Sequence, residues 1–335
     1  MKCQVIKLFS RETVRLHPGA GRMDRTETIV HADTLFSAIC NALVKLYGEE
    51  SLSSFMNEVL LSSLFPALRK RETETDLLFL PRPIASVAQS ETTLLSQRKK
   101  EKKVGWLSWQ AFAKLISTFN SQNLSFDCSL LDETIFTIEG KFALLTEEKE
   151  TLKNLKKFYF SNKVEPHVST DRESGTARKE GGLYFQEDLV LSSGETTKPF
   201  LYFLVNYNQF ETLLSPVLNL LIEEGIGGER HQGKGVFDWW EREEVEIENQ
   251  GEYLILFSTT LPAKEEIKNL VYYELIPRRG FVYYHSPTTF YKKPIFKLGE
   301  GSIVRLPFRG CNVNVSWQKN YPVISYGKAL GFAFS

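Results

Sequence analysis

Residues 225–237, GIGGERHQGKGVF, limit what this chain can fold into more than any other feature. Five glycines (225, 227, 228, 233 and 235) fall in eleven residues, between a helical pattern and a strand pattern. Residues without a Cβ let backbone come close to a ligand, and successive N–H groups in such a loop form an anion-binding concavity. Arg230, His231 and Lys234 add cationic donors, so phosphate binding is the chemistry this composition suits. Upstream, Phe210, Leu213, Leu214, Val217, Leu218 and Leu221 share one helical face. Pro216 either kinks that helix or starts a second one, and Gly225 stands where a left-handed C-cap belongs. Residues 236–240 resume as strand. This order argues against nucleotide loops. Gly228-x4-Gly233-Lys234 fits GxxxxGK, but residue 235 is Gly where Ser or Thr would hold Mg²⁺, and a Walker loop joins strand to helix. A Rossmann loop must likewise open a helix.

The 335 residues carry 41 Lys plus Arg against 41 Asp plus Glu. A neutral total removes global attraction to polyanions, so any nucleic-acid binding must come from local charge placement. At 42% hydrophobic the chain can bury a sizeable core, and its length suits about two domains. The start is too short an apolar run for a signal peptide, and no stretch has the length of a membrane span. Cys3, Cys40, Cys128 and Cys311 are scattered, which suits reduced core thiols rather than a metal or disulfide framework. A cytoplasmic protein without metal or cofactor is expected.

Hydrophobic periodicity predicts a strand at 2–9, a basic loop at 11–31, and a helix from Leu35 to about Gly48 with Asp33 as its N-cap. A second helix at 51–64, a strand at 77–80 and an exposed loop at 86–103, ending RKKEKK, follow. Helical spacing returns at 106–119, then strands at 134–145 and 158–160. Residues 165–198 are polar and turn-rich, as a protruding hairpin would be, and 199–205 (PFLYFLV) suits a fully buried strand. From about 241 the pattern becomes strand-rich, at 253–259, 271–275, 281–285, 303–306 and 323–326. The order β–α–β–β–α–β predicts an α+β, ferredoxin-like (RRM-like) domain over 1–248. A smaller ferredoxin-like or β-rich domain is expected over 249–335.

GIGGERHQGKGVF resembles the glycine-rich loop of the RAMP proteins of CRISPR–Cas systems, which lies between the last helix and last strand of a ferredoxin-like domain. HADTLFSAICNALVKLYG (31–48) and HVSTDRESGTARKEGGLYFQED (167–188) narrow the resemblance. Together they resemble the RAMP subunit of type III-A (Csm) effector complexes that holds the 5′ handle of the crRNA. The resemblance covers about residues 1–240. It implies that Gly225, Gly227, Gly228, Gly233 and Gly235 give backbone approach to the handle, with Arg230 and Lys234 neutralising phosphates. His231 stands where relatives commonly have Ser. The 167–188 segment resembles the RAMP thumb, a hairpin that enters the guide–target duplex and displaces a base pair. His167, Arg172, Arg178 and Lys179 would then follow RNA backbone. Tyr184 either supports or stacks there, or folds back into core with Phe185.

The first loop carries Arg11, Arg15, Arg22 and Arg25, with His17, and Arg15 and Arg22 are its candidate groove residues. Catalysis is not expected. Asp33 is tempting, because a related RAMP subunit cuts target RNA with an Asp near its first helix, but the helix-cap reading is favoured. His17, His31 and His285 are isolated in sequence. An endoribonuclease cutting guide precursor or target RNA is the alternative. Charge is segregated: 238–252 has net charge −6 and 292–328 net charge +6. The implied partners are crRNA, the guide–target duplex, the large polymerase-like subunit and the adjacent backbone RAMP subunit, with no membrane.

Overall fold

The structure is a computed structural model that describes residues 1–19, 25–87, 103–127, 135–138, 140–149, 159–171, 173–178, 182–192, 196–282 and 290–335. Strand β1 (Lys2–Phe9) sends Ile6 and Leu8 to one face and Cys3, Val5 and Phe9 to the other, all buried. A three-residue strand, β2 (Val14–Leu16), follows inside the first loop. Helix α1 (Ala32–Tyr47) buries Leu35, Phe36, Ile39, Ala42 and Leu43 on one stripe. It stops at Gly48, whose φ of +78° favours glycine. Helix α2 (Glu50–Glu58), β3 (Phe65–Lys70), β4 (Asp76–Pro81) and α3 (Trp109–Ile116) come next. Then follow the long pair β5 (Tyr159–Val168) and β6 (Leu183–Ser192), β7 (Thr197–Asn206), α4 (Ser215–Glu224) and β8 (Trp239–Glu246).

The order across the main sheet is β8–β1–β7–β3, antiparallel throughout, and it continues through β4 into shorter strands. Taking β1, β3, β7 and β8 as first to fourth strands, this is fourth–first–third–second, the ferredoxin-like arrangement. Helices α1 and α4 pack on one face, against Ile6, Leu8, Leu201, Phe203 and Val205. The opposite face, Val5, Phe65, Phe200, Tyr202 and Leu204, packs against α3 and the C-terminal strands. Burial on both faces is why residues 199–205 read as a continuous apolar run.

The C-terminal part holds β9 (Tyr253–Leu256), β10 (Leu270–Tyr272), the ribbon β11 (Leu275–Arg278) with β12 (Ile295–Leu298), β13 (Ile303–Arg305) and β14 (Gly331–Phe334). The order β10–β13–β9–β14 is again second–third–first–fourth and antiparallel. A short 3₁₀ turn, Lys264–Asn269, stands in its first crossover, where the N-terminal domain has a full helix.

Several local expectations are corrected. The helix expected over 51–64 ends at Glu58, because Leu60–Leu61 pairs with β7. The pattern at 106–119 divides at Ser108, which ends a strand (Trp106–Ser108) and caps α3 by accepting from Ala111 N at 3.1 Å. The strand expected at 236–240 begins at Trp239 and runs on to Glu246, since an edge strand can carry acids on its solvated side. The pattern at 134–145 is two strands, Ile135–Ile138 and Phe142–Leu145.

Asp33 is not the N-cap. His31 holds that position, and the Asp33 carboxylate accepts from Arg278 (2.9 and 3.0 Å) and from Lys297 (3.0 Å). Arg278 also pairs with Glu27 at 2.7 Å. His31 Nδ1 lies 2.9 Å from Glu300 and its Nε2 lies 3.3 Å from Glu27, while Ser63 donates to Glu300. This buried cluster fastens the start of α1 to the C-terminal domain. Burial pushes the His31 pKa down, but the Glu300 and Glu27 carboxylates outweigh it and the value is raised. A raised folded value stabilises fully below the unfolded value of about 6.5, and that contribution is lost as pH rises through the folded value. Urea unfolding at a series of pH values is therefore expected to show stability falling as pH rises from about 6.5. His31→Gln should flatten that slope, and an unchanged slope would remove His31 as its source.

Candidate functional site

The glycine loop, the first loop and the β5–β6 arm meet at β2. On one side β2 pairs with β6, Leu16 opposite Leu189 and Val14 opposite Leu191. On the other side Gly235 N donates to Arg15 O at 2.7 Å and Gly228 N donates to His17 O at 2.9 Å. The glycine loop also closes on itself, through Ile226 N to Gly235 O at 3.0 Å.

These bonds explain most of the glycines. Gly225 and Gly235 have φ of +83° and +75°, and a Cβ would lie 2.6 Å from Lys234 O and 2.1 Å from Ile226 O respectively. At Gly227 and Gly228 a Cβ would press on His17, within 3.3 Å. Gly233, at φ +77°, alone among the five faces open space. The close approach that the sequence implied is thus largely the loop's approach to itself and to His17. Its outer turn is Arg230, His231 and Gln232, with His231, Gln232 and Gly233 exposed.

The cations divide by orientation. Lys234 is buried, and its Nζ donates to both carboxylate oxygens of Asp188 on β6 at 2.7 Å. Lys234, expected to neutralise a phosphate, is turned inward here, where its charge joins the loop to the arm. Arg15 donates to Glu165 on β5, and with Lys163 it holds the Glu165 carboxyl down to about 2. Arg230 lies 3.8 Å from Glu224, and His231 lies 3.4 Å from Glu229. His17 is buried, its Nδ1 2.8 Å from Glu187 O.

The arm is a two-faced hairpin. Directly opposed residues share a face, so Lys163, Glu165, His167, Tyr184, Gln186 and Asp188 lie on one side. The His167 and Tyr184 rings stack there, 5.4 Å between centroids. His167 Nε2 and both amide atoms of Gln186 are buried with no hydrogen-bond partner among the described residues. The other side exposes Val164, Val168, Leu183 and Phe185. Tyr184 and Phe185 therefore do not fold back into core. At the tip, Asp171 accepts from Glu173 N and Ser174 N, which makes it a turn cap. Arg178 is exposed, its N–H bonded to Ser169 O.

Arm and loop line one concave surface, formed by Ser169, Thr170, Asp171, Glu173, Arg178 and Tyr184 from the arm and Gln232 from the glycine loop, so that one cation and two carboxylates face it. Sequence reasoning missed Ser169, Thr170 and Gln232, which carry no charge. It also missed the exposed Leu183, although strand alternation places Leu183 beside Phe185. Arg22, Arg172, Lys179, His285 and most of the RKKEKK run (98–102) lie outside the described residues. Among the described residues no group of three His, Cys, Asp or Glu side chains fits a metal ion. No helix there is long and apolar enough to cross a membrane.

A model of the RAMP superfamily matches residues 15–238, and a model of the CRISPR Csm4 C-terminal domain matches residues 249–334. The chain is 28% identical over 380 residues to the "CRISPR system Cms protein Csm4" of Methanocaldococcus jannaschii, covering 100% of this chain and 98% of that protein. It is 25% identical over 341 residues to the protein of that name from Mycobacterium tuberculosis, covering 98% and 97%. In fold it is similar to a chain of the Csm3–Csm4 subcomplex of a type III-A CRISPR–Cas interference complex, at 23% identity, TM-score 0.64 and full coverage of both chains. It is also similar to a chain of a Csm1–Csm4 cassette in complex with pppApA, at 20% identity and TM-score 0.58, covering 100% of this chain and 99% of that one.

If the loop glycines serve self-packing, their costs must differ. Gly233→Ala pays only for its positive φ, about 1–2 kcal/mol. Gly235→Ala meets backbone as well and is expected to cost clearly more in urea unfolding. Equal costs would contradict the self-packing account.

Proposed function

This chain belongs to the RAMP superfamily, and from that premise we propose that it serves a type III-A CRISPR effector complex as the Csm4-type subunit. It holds the 5′ handle of the crRNA at the glycine loop and sets its arm into the guide–target duplex. The observation that carries this reading is the single concave surface shared by the arm tip and the glycine loop. Full-length likeness to Csm4 proteins supports it. In this role Arg230 and His231 of the outer turn meet phosphates, Gly233 allows close backbone approach, and Arg178 follows the strand along the arm. Arg15 and Lys234 act from behind, holding the arm against the loop. The apolar side of the arm, Val168, Leu183 and Phe185, has the character of a wedge that unstacks a base step. The large polymerase-like subunit and a backbone RAMP subunit are the neighbours.

The binder reading is favoured over the endoribonuclease by the state of Asp33 and His31. Both are buried in ion pairs with the C-terminal domain. A general base or metal ligand for RNA cleavage has to reach the substrate.

Two measurements test the proposal. The purified chain with labelled crRNA and Mg²⁺ is expected to bind without cutting. Arg230→Ala should lower affinity and reduce the salt slope by about 1. Metal-dependent cleavage, or an unchanged slope, would count against the binding role or against Arg230 respectively. For the wedge, Leu183→Ala with Phe185→Ala should leave handle affinity unchanged and abolish the fluorescence rise of 2-aminopurine placed at the displaced base of the duplex. A rise that survives both substitutions removes the arm's apolar side from that role.

A further inference from the structure

The ribbon β11–β12 has two unlike faces. Ile276 and Arg278 on β11 lie opposite Lys297 and Ile295 on β12, and the two cations point inward to Asp33. The other face carries Leu275, Pro277 and Phe296, with Leu298, opposite Leu275, buried at its base, and the ribbon continues into the bridged pair Phe281 and Tyr291. Leu275, Phe281, Tyr291 and Phe296 are each half exposed or more. Beside them Trp317, 65% exposed, lies under the Lys293 ammonium at 5.4 Å. From Leu275 to Phe281 the stripe is roughly 20 Å long at about 3.3 Å per residue. A run of exposed apolar side chains of this kind, held from behind by buried ion pairs, marks an interaction surface.

Charge decides which partner fits. Residues 275–282 and 290–298 hold Arg278, Arg279, Lys292, Lys293 and Lys297 and no acid. With Arg278 and Lys297 engaged inward and Lys292 largely buried toward Asp33, Arg279 and Lys293 remain along the rim. A strand of RNA would need open ring faces with cations spaced along its phosphates. Here the Phe281 and Tyr291 rings cover each other, 4.1 Å between centroids, the Lys293 ammonium lies over Trp317, and Leu275 and Pro277 offer no aromatic face, so that of the residues named Phe296 alone presents an open ring. We propose that the outer face of this ribbon docks a protein element that presents an apolar stripe edged by carboxylates. The partner is another subunit of the same assembly, so the inference rests on the function proposed above and adds the surface through which the C-terminal domain joins it.

The test uses the full chain co-expressed with the large polymerase-like subunit and the backbone RAMP subunit. Tyr291→Ser with Phe296→Ser removes the apolar stripe, and Arg279→Glu with Lys293→Glu reverses the rim. Each pair is expected to weaken association with one of the two subunits at least tenfold, while thermal unfolding and crRNA affinity of the isolated chain stay unchanged. The rim variant should lose that association most steeply at low salt. Loss of crRNA affinity with subunit association intact would overturn the proposal in favour of RNA. Unchanged association with both subunits would overturn it outright, as would a wild-type dimer that the first pair renders monomeric. A wild-type chain that binds crRNA but neither subunit would remove this surface and leave the RNA reading standing, whereas failure to bind crRNA strikes the function and not the surface.

Discussion

Burial of both faces of the N-terminal sheet is the constraint on which the rest of this molecule depends. A four-stranded antiparallel sheet with two helices leaves one face open, and RRM-type folds use that face to stack bases. Here Phe65, Phe200 and Tyr202 occupy it but pack against α3 and the C-terminal strands. The ring of Phe65 meets those of Phe257 and Tyr202 edge-on. Nucleic acid cannot stack where protein already does. On the proposed function, recognition is displaced to the end of the sheet, where the chain leaves α4 and returns as β8, and the glycine loop lies at that place.

The same packing accounts for the ion cluster. Once the C-terminal domain covers the sheet, β11 and β12 come against the N-terminus of α1, where Asp33 in the first turn already suits the helix dipole. Arg278 and Lys297 complete that charge. Removing either partner would leave a buried charge uncompensated, at a cost of about 3–5 kcal/mol. The cluster therefore acts less as a source of net stability than as a tie that joins Glu27, His31 and Asp33 to Arg278, Lys297 and Glu300.

What was legible in the sequence follows from the range of the interactions involved. Helix α1 shows in the spacing of Leu35, Ile39 and Leu43, and the arm in its polar, turn-rich composition. The buried run at 199–205 announces a sheet covered on both sides. The roles of Asp33 and Lys234 did not show. Asp33 meets Arg278 across 245 residues and Lys234 meets Asp188 across 46, and no local pattern records such a pairing. Local propensity also misreads short strands, as at Leu60–Leu61 and Trp106–Ser108, where pairing outweighs helical spacing. For the loop, glycine content pointed to close backbone approach. Only the fold could tell that most of it is approach to the loop itself and to His17.

The equality of 41 cations and 41 acids takes on meaning at this level. Beside the concave surface four basic side chains are accompanied: Arg15 by Glu165, Arg230 by Glu224, His231 by Glu229, Lys234 by Asp188. On the proposed function, a phosphate entering here exchanges with a carboxylate and gains less than it would from a bare cation. Affinity for arbitrary polyanions is thereby held down. A strand that also fits the glycine turn and the arm gains shape-dependent contacts that a random one lacks. The isolated chain is then a modest binder, and the neighbouring subunits supply the rest of the grip. On that reading, neutrality, which at first argues against nucleic acid, becomes the means by which a subunit of a guided complex waits for one RNA rather than for any.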